Sequence, residues 1–304
     1  MKYFYKITMC IVFLPFSALV TAQEVREDTT GNHENTKYAS ETFKSSRVIL
    51  GQSVELPDNG NLVLLISHHF GAINTGYYHL FGIDVASTRV GLEYGINNWL
   101  GAGFGVNTYN LTWDAYGKAK LLRQSKGERK MPFSLSVFGN ITINSMKPNN
   151  PEQKWTFDSR LAYCAEAIIA RKFGKAFTFQ LQPVYIHKNL VQTSEDHNDI
   201  YALGGGVSVR VSDVVSLNGE YYYLFPNQTA EYVQSSMSIG IDLLVGQHVF
   251  QLFFTNSPQI LEESFITENN GKVLNGDIHF GFNIHRVFTV KKPKHKIPEI
   301  QENQ

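Results

Sequence analysis

The sequence predicts an all-β protein: a single antiparallel transmembrane β-barrel of about 12 strands in up-and-down order. Three observations lead there. Apolar and polar residues alternate with period two in segment after segment, as in strands with one greasy and one polar face. The segments are joined by tight turns and longer loops in near alternation. Beyond the N-terminal segment no apolar run reaches helix-spanning length. In lipid only helices and closed barrels satisfy every backbone group, so a spanning chain of this kind must be a barrel.

Taken in order, Met1 to Ala22 reads as a signal peptide. Lys2 and Lys6 give a positive start, Ile7 to Val20 is apolar, and Val20-Thr21-Ala22 supplies small residues for cleavage after Ala22. Residues 23–45 are polar for most of their length and read as a flexible periplasmic leader. The segment RVILGQSVEL (47–56) looks like a short strand whose place stays open between a plug, a periplasmic hook and an extra strand. The barrel is expected within 46–289.

Strands are expected at 61–70, 85–94, 98–108, 112–123, 132–143, 157–172, 177–188, 200–210, 215–223, 233–244, 248–255 and 276–289. The last is the clearest: Ile278, Phe280, Phe282, Ile284 and Phe288 oppose Asp277, His279, Gly281, Asn283 and His285. In 133–143, Phe133, Leu135, Val137, Ile141 and Ile143 oppose Ser134, Ser136, Asn140 and Thr142. Tight turns are expected at 96–97, 174–175, 212–213 and 246–247. Long loops are expected near 71–84, 144–156, 189–199, 224–232 and 256–275. Two connections break the alternation: 109–111 is short where a long loop belongs, and 124–131 is long where a tight turn belongs. In this register both termini are periplasmic and the long loops face outward. Aromatic residues form 13% of the chain, and Tyr77, Tyr78, Trp99, Trp113, Trp155 and Tyr221 to Tyr223 lie near strand ends, where a membrane girdle would sit. A basic, Pro-broken tail (290–304) ends the chain.

Composition excludes several function classes. Twenty-seven basic residues balance 27 acidic ones, which argues against a nucleic-acid binder. Cys10 falls in the signal, leaving Cys164 alone, so there is no intrachain disulfide framework. His68, His69, His79, His187, His197 and His248 follow no metal-ligand spacing, and Gly204-Gly205-Gly206 lacks the Gly-Lys-Ser/Thr that completes a phosphate loop. In a strand those glycines suit curvature or close packing. No metal, cofactor or catalytic motif is present, and none is expected.

The stretches ETFKSSRVILGQSVEL (41–56), ISHHFG (66–71), LEYG (92–95), KLLRQ (120–124), ARKF (170–173), NDIYALGGG (198–206), EYYYLFP (220–226), HVFQLFFTNSPQI (248–260) and GDIHFGFNIHRVF (276–288) are similar to those of a family of uncharacterised bacterial outer-membrane β-barrel proteins, a domain of unknown function. The resemblance implies an outer-membrane barrel. It supplies no activity and no site residues.

If the apolar face meets lipid, the opposite face lines a lumen. That assignment places Arg89, Glu93, Asp114, Lys118, Lys120, Asp158, Arg160, Glu166, Arg210, Glu220, Asp242, Gln251, His279 and His285 inside. A Lys or Arg facing lipid at mid-depth would cost about 2–4 kcal/mol, so inward placement is the cheaper one. These side chains could pair and fill the barrel, or line water. The expected function is a porin-like passive pore or small-solute channel with a mixed-charge lumen. Two alternatives stay open: a structural or docking barrel for a partner protein, and an outer-membrane hydrolase acting on lipid or peptide through Ser208, His279 or His285. Expected partners are outer-membrane lipid, small solutes in the lumen and a periplasmic partner at the tail.

Overall fold

The computed structural model describes residues 36–148 and 155–291. The expected signal peptide with its cleavage after Ala22, most of the expected leader and the tail beyond residue 291 lie outside the described residues. Twelve strands form one closed antiparallel barrel. They are β1 Asn61–Ala72, β2 Ala86–Gly95, β3 Leu100–Asn107, β4 Thr112–Leu122, β5 Ser134–Asn144, β6 Leu161–Phe173, β7 Phe177–Lys188, β8 Asp199–Arg210, β9 Val215–Leu224, β10 Ser236–Val245, β11 His248–Thr255 and β12 His279–Thr289. Each strand pairs with its sequence neighbour, and β12 returns to β1 through Ile284 opposite Ile66 and Phe288 opposite Leu62. All twelve expected strands are present in an up-and-down order.

Alternation decides the orientation of every strand. On β5 the buried set is Ser134, Ser136, Phe138, Asn140 and Thr142, while Val137 and Ile141 are exposed. On β7 Thr178, Gln180 and Gln182 are buried and Phe177, Phe179 and Leu181 are exposed. An exposed apolar face around a closed ring of strands is the surface a bilayer covers.

The two irregular connections have physical reasons. Residues 109–111 form a single 3-10 turn that reverses the chain without a loop. The long connection 123–133 receives the incoming chain: Lys37–Tyr38 pairs antiparallel with Ser125–Lys126, and Ala39 N donates to Gln124 O.

The segment left open by the sequence lies inside the barrel. Residues 42–56 enter at the tight-turn end, reverse in a narrow hairpin and return to β1. The hairpin is closed by Val48 N to Gly51 O and Ser53 N to Ser46 O, both 2.9 Å, with Arg47 bridged to Gln52. Thr42, Phe43 and Ser45, expected in the flexible leader, are buried with it. A second inserted segment, residues 256–271, comes from the long-loop end and carries the short helix α1, Glu262–Thr267, every residue of which is buried. The two segments meet in mid-barrel. Their apolar side chains Phe43, Val48, Ile49, Leu50, Val54, Phe265 and Ile266 share one buried cluster with Ile168, Val184, Ile186, Ile200 and Tyr222 of the wall.

Candidate functional site: the barrel interior

The wall holds the N-terminal hairpin largely through side chains that bond its backbone. Glu220 on β9 accepts from the amides of Ile49, Leu50 and Gly51 at 3.3, 2.8 and 3.2 Å. Lys118 on β4 donates to the carbonyls of Ser46 and Ser53 at 2.9 and 3.1 Å. Gln180 on β7 accepts from Val54 N, and with Gln182 donates to Gln52 O. Gln251 on β11 reaches Val48 O, Asn283 on β12 reaches Ile49 O, and Ser136 on β5 reaches Val54 O. These partners come from six strands spread around the ring, so the hairpin is gripped on all sides. Tyr222 completes the fit. Its ring occupies the space a Cβ would need at Gly204 and its hydroxyl the space at Gly51.

Two buried ion pairs dominate the electrostatics. Arg89 and Asp114 form a bidentate pair at 2.8 and 2.6 Å with almost no exposure. Arg47 of the hairpin pairs with Glu262 of α1 at 3.1 Å, and Gln52 donates to the same carboxylate at 2.9 Å. Burial opposes the Arg47 charge, but Glu262 beside it raises the guanidinium pKa above its ordinary value. Burial would likewise raise the Glu55 carboxyl, but Lys120 at 2.7 Å holds it below the usual carboxylate range. Glu263, next to Glu262, is pushed up to about 8 by burial first and then by the neighbouring carboxylate.

Of the residues assigned inward from sequence, Arg89, Glu93, Asp114, Lys118, Glu166, Glu220, Asp242, Gln251, His279 and His285 are buried on the inner face. Lys120 and Arg210 are half-buried near the tight-turn rim, pairing with Glu55 and Glu41. Asp158 and Arg160 sit elsewhere. They belong to a 3-10 turn that precedes β6, because the chain is still turning at Phe157, and Arg160 donates to Asn144 O and Met146 O of the neighbouring loop. The inner charges are engaged rather than free: Glu93 accepts from Ser46 and Tyr116, and Asp242 from Gln251. His285 contacts Gln251 Oε1, and His279 contacts Phe70 O. Ser208 lies toward the tight-turn end of β8 while His279 opens β12 at the other end, so these do not form a nucleophile–base pair. His68 faces outward against Phe282, and His69 faces inward against Phe253.

The family model of a membrane-bound beta barrel domain, DUF5777, matches residues 43–288. The chain belongs to this family. The match begins inside the inserted hairpin, so the hairpin is part of the family's domain along with the wall. No curated protein matches the sequence. Among solved structures, the NanC porin aligns with a TM-score of 0.46 and 9% identity over 76% of this chain and 100% of its own. The KdgM porin aligns with a TM-score of 0.44 and 9% identity, covering 75% of this chain and 99% of its own. At that distance neither bears on the lumen or the cargo of this chain.

Sequence reasoning missed Arg47, Glu262 and Glu263 as interior charges, and the apolar inner residues Ile168, Val184, Ile186, Ile200 and Phe253. One signal was available. Glutamine and asparagine at inward positions 180, 182, 251 and 283 both donate and accept, which suits a wall that binds backbone.

Proposed function

We propose that the protein is an outer-membrane channel for small solutes whose lumen is closed, in the folded state, by its own residues 42–56 from the tight-turn end and 256–271 from the long-loop end. In this reading the tight-turn end is periplasmic and the long loops are extracellular. The observation that carries it is the way the hairpin is held. Its backbone is bonded by wall side chains such as Glu220, Lys118 and Gln251, not by wall backbone. Were the hairpin to withdraw, those side chains would remain, beside the apolar Ile168, Val184 and Ile200, as mixed-charge groups that water can satisfy, and the barrel ladder would stay intact. A backbone-paired segment could not leave without breaking the sheet.

Planar-bilayer recording of the purified full chain tests this. The wild-type protein should be mostly closed, with rare openings. Glu220→Ala, which removes the acceptor of three hairpin amides, should open more often. The variant must still show the boiling-dependent gel shift of a compact barrel. A shifted, folded variant that opens no more often than wild type would reject the hairpin as the closing element, and no conductance in either protein would reject the channel.

A second reading is favoured by the apolar cluster. Val48, Ile49, Leu50 and Val54 pack against Ile168, Val184 and Ile200 as a permanent core would. In that case the barrel is a structural or docking element, and Glu220→Ala would lower stability without producing current.

A further inference from the structure

We propose that residues 76–85, between β1 and β2, form a foot that lies on the membrane leaflet at the long-loop end and buries its apolar side chains at the boundary of headgroups and acyl chains. The inference needs only a membrane-bound barrel with its apolar face in lipid; it does not depend on the channel.

Its first support is composition against exposure. Tyr77, Tyr78, Leu80, Phe81 and Ile83 are 81, 85, 57, 57 and 61% exposed. An apolar patch of this kind, left open on a folded chain, marks an interaction surface. Its polar side chains engage each other: His79 Nδ1 lies 2.7 Å from Asp84 Oδ2. The second support is geometry. Leu80 and Phe81 take left-handed backbone, φ 48° and 56°, which bulky residues rarely adopt. The turn is nonetheless fixed, by Phe81 N to Gly76 O and Gly71 N to Val85 O, each 2.8 Å, and by Gly82 against Gly71. Strained backbone that holds two large apolar side chains away from the protein needs something to receive them.

The third support names the occupant. The patch continues the lipid-facing wall. Phe70, the outward residue at the end of β1, pairs with Ala86, which follows Val85 of the loop. Phe70 stacks on Phe280 at 5.9 Å, and Phe280 contacts Phe254 at 5.6 Å, so an aromatic band runs along this rim. Tyrosines with an apolar body and a polar tip suit the interface directly above such a band. The base of the loop is tied to the neighbouring loop by Asn74 to Asp277 at 2.6 Å, which fixes its position on the rim.

The test is site-directed spin labelling of the full chain reconstituted in phosphatidylcholine vesicles. Leu80→Cys is labelled in a background with Cys10→Ser and Cys164→Ala. Its accessibility to oxygen and to a water-soluble nickel chelate is compared with that of Ser194→Cys in another long loop. The foot predicts an oxygen-to-nickel ratio several-fold higher at 80 than at 194. Equal ratios would overturn it in favour of a solvated loop. Low accessibility to both reagents at 80 would overturn it in favour of a protein contact, including a second copy of the chain. Should Leu80→Cys lose the boiling-dependent gel shift, Ile83→Cys serves the same comparison.

Discussion

The two segments inside the barrel are held by the wall in different ways. Residues 256–271 hold themselves together. Asn256 donates to Gly271 O, Ser257 to Gln259, Gln259 to Glu268 O and Ser264 to Leu261 O, all within the segment. Residues 42–56 also bond within themselves, through Ser53 Oγ to Ser45 O, Arg47 Nη1 to Leu50 O and Thr42 N to Glu55, but their backbone is in addition bonded by side chains of the wall. The first is a folded cap that the wall meets mainly through contacts to its side chains, such as Asn140 to Glu262 and Lys188 to Thr267. The second is a guest whose backbone is bonded by side chains of six strands and whose Arg47 and Gln52 reach Glu262 of the cap. Burying Val48, Ile49, Leu50 and Val54 contributes about 1.5–3 kcal/mol each, so the guest is firmly seated, but its bonds to the wall are made by side chains that water can satisfy.

The strongest way to break this comparison is at the point where the segments touch. Glu262→Ala leaves Arg47 buried without its counter-charge, a change that typically costs about 3–5 kcal/mol. The expected result is a lower temperature for the boiling-dependent gel shift and faster protease cutting within 42–56. The double variant Arg47→Met with Glu262→Leu should recover most of the loss, because no charge is then stranded. Equal damage in the single and double variants would mean that the pair is not the link between guest and cap.

Next in size is Glu220→Ala. It strands up to three buried amides, each worth about 1–3 kcal/mol when unsatisfied, less whatever water regains. The hairpin should loosen while the cap stays protected. Glu220→Gln keeps one acceptor oxygen and should lie between the variant and wild type. Hydrogen exchange at Ile49 to Gly51 and at 261–268 reads the two segments separately. Loss of protection in both would erase the distinction between them.

The cap, in turn, has its own weak point. The Glu263 carboxyl is raised to about 8 by burial and by Glu262, with Glu268 adding to the rise and Lys188 opposing it, and its Oε2 has no partner among the described residues. The folded state therefore holds this proton more tightly than the unfolded state does. Its contribution is full below the ordinary carboxylate pKa of about 4.5 and is lost as pH rises towards 8. Protease resistance of 256–271 should fall across that window, and Glu263→Gln should flatten the fall. A pH profile unchanged by Glu263→Gln would assign the dependence to another group.

How far the sequence could reach follows from the same contrast. The wall was legible because each strand repeats one rule, apolar out and polar in, and β12 shows it at every position from Ile278 to Phe288 except Arg286 and Val287. The guest was legible only as a segment. RVILGQSVEL has the pattern of a strand, and nothing local says that Val48, Ile49 and Leu50 turn within a hairpin whose partners lie on β4, β5, β7, β9, β11 and β12. The inner apolar residues hid for a related reason. Ile168 and Ile200 break the alternation towards apolar on both faces, which reads as a stronger strand rather than as a socket. Asp158 and Arg160 were misplaced because strand edges carry little signal, and a 3-10 turn before β6 keeps the same residue types.

The smallest expected effect lies at the rim where the guest enters. Lys172 donates to Ser40 O and Glu41 O, Lys44 donates to Asp213 O, and Glu41 pairs with Arg210. These groups are partly exposed, and burial lowers the Lys44 pKa against the pull of Asp242 and Asp213. An exposed pair contributes at most about 1 kcal/mol and is screened by salt. Glu41→Ala should thus leave the gel-shift temperature almost unchanged, and raising the salt concentration should leave protease access to 42–56 unchanged as well. The rim then sets where the hairpin enters, and the interior sets whether it stays. A several-fold rise in access with salt would invert that order: the weak outer contacts would be the latch, and the well-packed interior would follow once they let go.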